Sequence, residues 1–352
     1  MTRIIRTRAK RNGVTLIELL VVATIMLTLA AVSVPSIKPM LESQMTSSAA
    51  STVATYLERA RMRAILTGRP CGVTFEFFEG SWDSGFDAPS TIDPGYDYGA
   101  GSVSLVLRQV QTPPYYTGLD DSATASIDPD SDSVDADGDV VRDLLYNDPY
   151  WDYFVGDEKD ASIQFNSVGP FYRINRDGRV KKPAGLNFPF VKDAPFKIVR
   201  EPRPTMTAPI GLPQGAVVDL EFSGTDASSF THGSDVTIMF AANGEVDYVV
   251  NDGERFLPSG TIYFLVGRWD RISALGLTDD FNETVAEDGL WNFEDGSNFW
   301  VAINPKSGMT TTVPVNQPLN FGTTTSGRIN FDDAIDESRE FARFSTRNLG
   351  GR

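Results

Sequence analysis

Between Val14 and Val34 the chain runs for 21 residues, VTLIELLVVATIMLTLAAVSV, with one charge, Glu18. At about 1.5 Å of rise per residue, a helix of that length is roughly 31 Å long, the thickness of a bilayer's hydrocarbon core. Arg3, Arg6, Arg8, Lys10 and Arg11 stand in front of it, and the first 13 residues hold no acid. A basic flank of this kind stays in the cytoplasm, so the body that follows is expected on the far side of the membrane. Glu18 is the anomaly. A carboxylate inside a span costs on the order of a few kcal/mol and is retained for a function that supplies it with a partner.

An ordinary secretory signal also begins basic and turns apolar, and Ala31 and Ser33 in LAAVSVPS offer it a small-x-small cleavage site. That reading leaves Glu18 without a purpose. The stretch G-VTLIELLVV, with Pro35 beyond it, resembles the class III signal of type IV prepilins and type II secretion pseudopilins. The resemblance implies a cut between Gly13 and Val14 by a prepilin peptidase, which then methylates the new amino terminus at Val14. The family usually carries phenylalanine there, and valine is an apolar substitute. Glu18 becomes the fifth mature residue, where the family places glutamate, and Pro35 the twenty-second, where many members place proline. The family also implies a partner for Glu18, the Val14 amine of a neighbouring subunit. Two opposite charges buried together avoid the penalty each would meet alone, so the pair can set register during assembly.

Beyond Pro35, which is expected to kink or loosen the helix by removing a backbone donor, the helical pattern continues. Ile37, Leu41, Met45, Ala49, Val53, Leu57, Ala60 and Ala64 recur at steps of three and four. Arg59, Arg61 and Arg63 lie off that stripe. Gly68 suits a C-cap and Pro70 a stop. One helix over Val14–Thr67 is therefore expected, its first half (14–35) in the membrane and its second half (36–67) packed on a body spanning 68–352. From Cys71 the signals are strands: GVTFEFFEG, SVSLVLRQV, FKIVRE, AVVDLEFS, DVTIMFAANGEVDYVV, GTIYFLVGRWD and NFWVAINPKSGMTTTVPV. Asn243-Gly244 marks one hairpin and NPKSG, from Asn304 to Gly308, a longer one. The expected class is α+β, pilin-like, with a long amino-terminal helix on an antiparallel sheet. The order of elements is loosely similar to that of the H-type minor pseudopilins. Long insertions account for the extra length: Gly80 to Gly101, Gln111 to Ala161 and Arg268 to Gly296. DDAIDESREFARF, Asp332 to Phe344, reads as a short amphipathic helix with Asp332 and Asp333 in its first turn and Arg339 and Arg343 in its last.

The middle insertion is strongly acidic, with 14 Asp and Glu between Asp120 and Asp160 against Arg142 and Lys159. Asp135, Asp137, Asp139 and Asp143, with a turn near Gly138, are spaced as in a calcium loop. The spacing departs from an EF-hand, and a solvated, disordered acidic loop explains the same composition. Both readings stand at this level, and calcium is the single cofactor the sequence suggests. His232 in SSFTHGSD has no triad or GxSxG turn around it and reads as a loop histidine. NRDGRVKKPAG (Asn175 to Gly185) reads as a solvated basic turn. YNDPYWDYF (Tyr146 to Phe154) is rich in aromatics that either cover the sheet or meet a neighbouring subunit. Cys71, the sole cysteine, excludes an intrachain disulfide and reads as a core thiol.

Beyond Gly13 the chain holds 26 basic and 47 acidic residues, a net charge of −21. Such a surface repels phosphates, so nucleic acid is not expected as a partner. The expected role is structural rather than enzymatic. A membrane-anchored precursor is trimmed by prepilin peptidase, passes through an inner-membrane assembly platform, and joins other pilin or pseudopilin subunits. A minor pseudopilin of type II secretion ranks first, since so large a body would crowd a dense filament. A type IV pilus subunit and a calcium-dependent envelope adhesin are the alternatives.

Overall fold

The computed structural model describes residues 16–78, 103–118, 122–134, 140–147, 161–166, 169–174, 179–181, 188, 191–226, 228–231, 233–272, 291–318 and 331–349, with the backbone alone at 29–40, 270, 331–333 and 348–349. The chain divides into two compact units, Met1–Gln44 and Met45–Arg352. Helix α1 (Leu16–Thr67) is continuous, and its backbone is helical through Pro35, where the sequence suggested a kink or loosening. It ends as expected. Gly68 takes φ +65 and its amide reaches back to the Ala64 carbonyl at 3.0 Å, a left-handed cap that glycine adopts without steric cost.

In the second unit α1 packs on a large antiparallel sheet. The chain continues with β1 (Cys71–Phe77) and β2 (Val103–Gln111). A middle segment carries short strands β3 (Ala125–Ile127), β4 (Ser133–Val134), β5 (Val140–Tyr146), β6 (Ser162–Phe165), β7 (Tyr172–Arg173), β8 (Arg179–Lys181) and β9 (Phe196–Val199). Then come β10 (Arg203–Pro204), β11 (Ile210–Gly211), β12 (Ala216–Thr225), β13 (Val236–Phe240), β14 (Val246–Asn251), β15 (Glu254–Phe256), β16 (Ile262–Arg268), β17 (Phe299–Ile303) and β18 (Thr310–Pro314). Among the described residues the main sheet runs β15-β14-β13-β1-β2-β12-β16-β17-β18, with β10 and β11 also paired to β2. One edge of β2 is taken by β1, from Cys71↔Gln111 to Phe77↔Ser104. The other is shared by β12, β11 and β10 in turn.

The inner face of this sheet meets the predicted helix stripe. Ala49, Val53, Leu57, Ala60 and Ala64 are buried among Val73, Phe75, Leu107, Val218, Ile238, Phe264 and Val301. Small alanines let the helix approach closely, and Phe75 and Phe264 stack at 4.0 Å beneath it. Met45 is partly buried against the same core, and Leu41 is exposed. Ile37 lies where side chains are not described.

Both hairpin signals are realised, and the two turns meet. Ala241 to Glu245 links β13 and β14, with Gly244 at φ +89. NPKSG links β17 and β18, with Gly308 at φ +62 and Asn304 Oδ1 accepting from the Lys306 and Ser307 amides. A Cβ on Gly308 would stand 1.9 Å from the Gly244 carbonyl oxygen, so only glycine allows this approach. Arg61, off the apolar stripe, donates from Nε to the carbonyls of Gly244 and Ser307, each at 3.0 Å. Glu58 accepts from the Thr310 amide at 2.9 Å. One turn of α1 thus ties both hairpins to the helix.

The outer face is covered by two different pieces. Helices α2 (Phe331–Ser338) and α3 (Glu340–Leu349) cover one part, burying Phe222, Tyr263, Leu265, Trp300, Ala334, Ile335 and Ala342. The single helix expected at Asp332–Phe344 is therefore two helices, broken at Arg339. That residue is not a surface cation at a helix end. It is buried, donates to the carbonyls of Phe222 (2.8 Å) and Thr225 (3.3 Å), and packs on the rings of Tyr263 and Trp300. Elsewhere Phe171 and Val199 from the middle segment pack on Val110, Met239 and Tyr248.

The middle segment has its own core of Ile127, Leu144, Ile163, Tyr172, Ile174, Val180, Phe196 and Ile198. Where this acidic stretch is described it forms strands, at Ser133–Val134 and Val140–Tyr146, while the centre of the stretch read as a calcium loop or a solvated, disordered loop, residues 135–139, lies outside the described residues. β3 and β4 pair with one edge of β5, and β8 pairs with the other. β8 comes from the stretch read as a solvated basic turn, and Tyr146 closes β5. Residues 148–154, most of Asn175–Gly185 and the whole insertion Gly80 to Gly101 lie outside the described residues.

Candidate functional site

The segment that most needs an explanation is the first part of α1. Leu16, Ile17, Leu19, Leu20, Val21, Val22, Ile25, Met26 and Leu27 all face outward, and Val21, the least exposed of them, still presents 48% of its surface. Leaving nine such side chains in water costs on the order of 10 kcal/mol or more in total, so this surface is built for lipid or for protein. Its threonines do not dilute it. Thr24 Oγ1 donates to the Leu20 and Val21 carbonyls at 3.0 and 2.9 Å, and Thr28 Oγ1 to Ile25 at 2.9 Å, so each hydroxyl is satisfied within the helix. Glu18 is the one ionisable side chain between Leu16 and Thr28.

Among the described residues, no helix is long and apolar enough to cross a membrane. Side chains are described from Leu16 to Thr28 and again from Leu41, and the apolar run Val14 to Val34 extends beyond the first of these stretches. Gly13 and Val14, the expected cleavage and methylation positions, lie outside the described residues, as does the side chain of Pro35.

Of the suggested calcium ligands, Asp135, Asp137 and Asp139 lie outside the described residues. Asp143 is in β5, where its Oδ1 accepts from Arg179 Nε at 2.8 Å across to β8. The neighbouring acids are also engaged. Asp132 pairs with Arg142, whose guanidinium lies 4.8 Å from the Phe188 ring centre, and Asp128 Oδ1 accepts from the Asp130 amide at 3.0 Å. Described carboxylates here thus hold β-strands together through arginine. Among the described residues, no group of three or more His, Cys, Asp or Glu side chains is placed to hold a metal ion. His232 lies outside the described residues. Cys71 is buried, 3.9 Å from Thr67 Oγ1, as a core thiol should be.

A cleft of about 480 Å³ opens on the middle segment, lined by Ser126, Ile127, Leu145, Tyr146, Lys192 and Asp193 among others. Ser126 Oγ accepts from the Asp193 amide at 2.8 Å, so its hydroxyl fixes a turn whose φ is +46. The residues that periodicity alone did not mark as tying both hairpins to α1 are Glu58 and Arg61. Their signal was available, since charged residues off an apolar helix stripe beside two glycine turns have few other places to point.

Residues 8–34 match the family model of the prokaryotic N-terminal methylation motif. The matched range contains Gly13, Val14 and Glu18, and it is consistent with the class III signal peptide of type IV prepilins and pseudopilins. No curated protein and no solved structure matches the chain.

Proposed function

We propose that this chain, which carries the prokaryotic N-terminal methylation motif at residues 8–34, is a minor pseudopilin of a type II secretion system. The motif implies processing by prepilin peptidase and assembly with other pilin-type subunits. The single observation that carries the reading is the match over residues 8–34, joined to an outward-facing apolar helix surface from Leu16 to Leu27 that contains one acid, Glu18. Before assembly that surface lies in the inner membrane, with the body from Met45 onward in the periplasm. After assembly it lies against neighbouring helices, where Glu18 meets the methylated amine of Val14 on another subunit. The role is structural, and no cofactor is required for it.

The size of the body favours a low-copy position over a major subunit, because the middle segment and the carboxy-terminal helices enlarge the sheet's outer face. The net charge of −21 beyond Gly13 weighs against a DNA-uptake filament. A type IV pilus subunit is the nearest competitor. Deleting the gene separates the two. For a pseudopilin, exported enzymes accumulate in the periplasm while surface pili persist. Loss of pili with secretion intact would assign the chain to a pilus.

A further inference from the structure

On the outer side of β12 a carboxyl group is sealed in the protein. Asp219 is fully buried; its Oδ2 accepts from Asn292 Nδ2 at 2.9 Å, and its Oδ1 has no hydrogen-bond partner. Two residues along the same strand, Glu221 is also buried, where a bulge between Asp219 and Gly224 breaks the pairing with β16. Asn292 belongs to a turn, Trp291 to Asn298, rather than to a strand. It accepts from the Arg268 amide at 2.9 Å and from Asn298 Nδ2 at 3.1 Å, and it sits where a Cβ on Gly267 would collide with it. The same turn reaches α1, because the Ser297 carbonyl accepts from Thr46 Oγ1 at 2.7 Å.

We propose that Asp219 carries a proton in the folded protein, and that its ionisation loosens the Trp291–Asn298 turn and with it the tether to Thr46. A neutral acid needs no water and tolerates one unpaired oxygen far better than an anion does. Once charged, the group must regain solvation. Its neighbours on either side are Val103 of β2 and Leu265 of β16, held by ladder hydrogen bonds. The Asn292 side is a turn with only short-range backbone bonds, Glu294 to Trp291 and Asn298 to Asp295, and one to Val315, while Asn292 itself is held through its side chain, so it is the wall that yields.

The charged groups around Asp219 are Glu221 on its own strand, Arg268 at the end of β16, Glu294 and Asp295 in the turn, and Arg271, which donates to Asp295 at 2.6 Å. Burial is the largest influence on Asp219, and with the repulsion of Glu221 it outweighs the bond from Asn292 and the pull of the Phe222 and Glu221 backbone amides, which do not reach hydrogen-bond geometry, raising its pKa to about 7. The sign follows. The folded state holds the proton more tightly than the unfolded chain, whose aspartate titrates near ~3.9. The stabilisation is complete below that value and is lost as pH rises through about 7.

The test uses the mature chain in detergent micelles. Its melting temperature should fall by several degrees between pH 5.5 and 8, and the amides of Trp291–Asn298 should exchange at least about tenfold faster at pH 8 than the intrinsic pH effect explains. Asp219→Asn should flatten both responses. In case that variant folds poorly, carbon-13 labelling of aspartate in the unaltered chain should reveal one carboxyl titrating near neutrality. An equal slope in the variant, or no such carboxyl signal, overturns the proposal. So does stabilisation by calcium at pH 8 that depends on Asp219, since a cation would then be doing what the proton is claimed to do.

Discussion

A chain bearing Glu18→Leu is expected to be inserted and trimmed like its unaltered sibling and then to be excluded from the filament. The change makes the apolar surface from Leu16 to Leu27 more uniform, so membrane insertion improves slightly. The loss falls on assembly. Removing one member of a buried ion pair leaves the other charge uncompensated, at about 3–5 kcal/mol, which is roughly a hundredfold to a few thousandfold in an equilibrium. Co-expressed with the unaltered chain, the variant should be depleted by about that factor in sheared filaments relative to the membrane fraction, read by peptide mass spectrometry. Equal incorporation would mean that Glu18 does not select the neighbour.

Trp300→Ala should be the most damaging single change in the body that leaves the amino-terminal helix untouched. Trp300 is fully buried, meets Tyr263 edge-to-face at 6.1 Å, and lies 5.1 Å from the Arg339 guanidinium. Truncation of a buried tryptophan costs about 3–5 kcal/mol through lost contacts and the cavity left behind. Here the loss also removes one of the two rings that Arg339 packs on, and burial already lowers the pKa of Arg339 to about 10. Trp300→Phe should cost less, within about 1.5 kcal/mol, because Trp300 Nε1 has no hydrogen-bond partner to lose. Denaturant unfolding of both variants checks the difference. Equal losses would place the cost in the part of the indole that both variants lose instead of the ring contacts that phenylalanine retains.

The long helix, its Gly68 cap and the stripe from Ala49 to Ala64 were legible because a 3.6-residue period and a glycine stop leave little ambiguity. The principal strands and both hairpins were legible for the same kind of reason, since alternation and Asn-Gly or Asn-Pro turns are local signals. The middle segment was not. Its strands are short, β4 and β7 having two residues each, and they are stabilised by a shared core and by Asp143–Arg179 and Asp132–Arg142 pairs. Composition marks such a stretch as acidic and says nothing of which arginine each acid meets. Arg339 was misread because helical charge patterning assumes a solvated face, and its actual partners, Phe222 and Thr225, lie more than a hundred residues away. The candidate site was legible in its chemistry, since one acid in an apolar run stands out in any reading.

The most direct measurement is the intact mass and amino-terminal sequence of the chain purified from membranes of cells with an active prepilin peptidase. Expected are loss of the first 13 residues and an amino terminus at Val14 bearing a single methyl group. A chain that keeps Met1 to Gly13, or that begins near Ser33, would contradict the assignment.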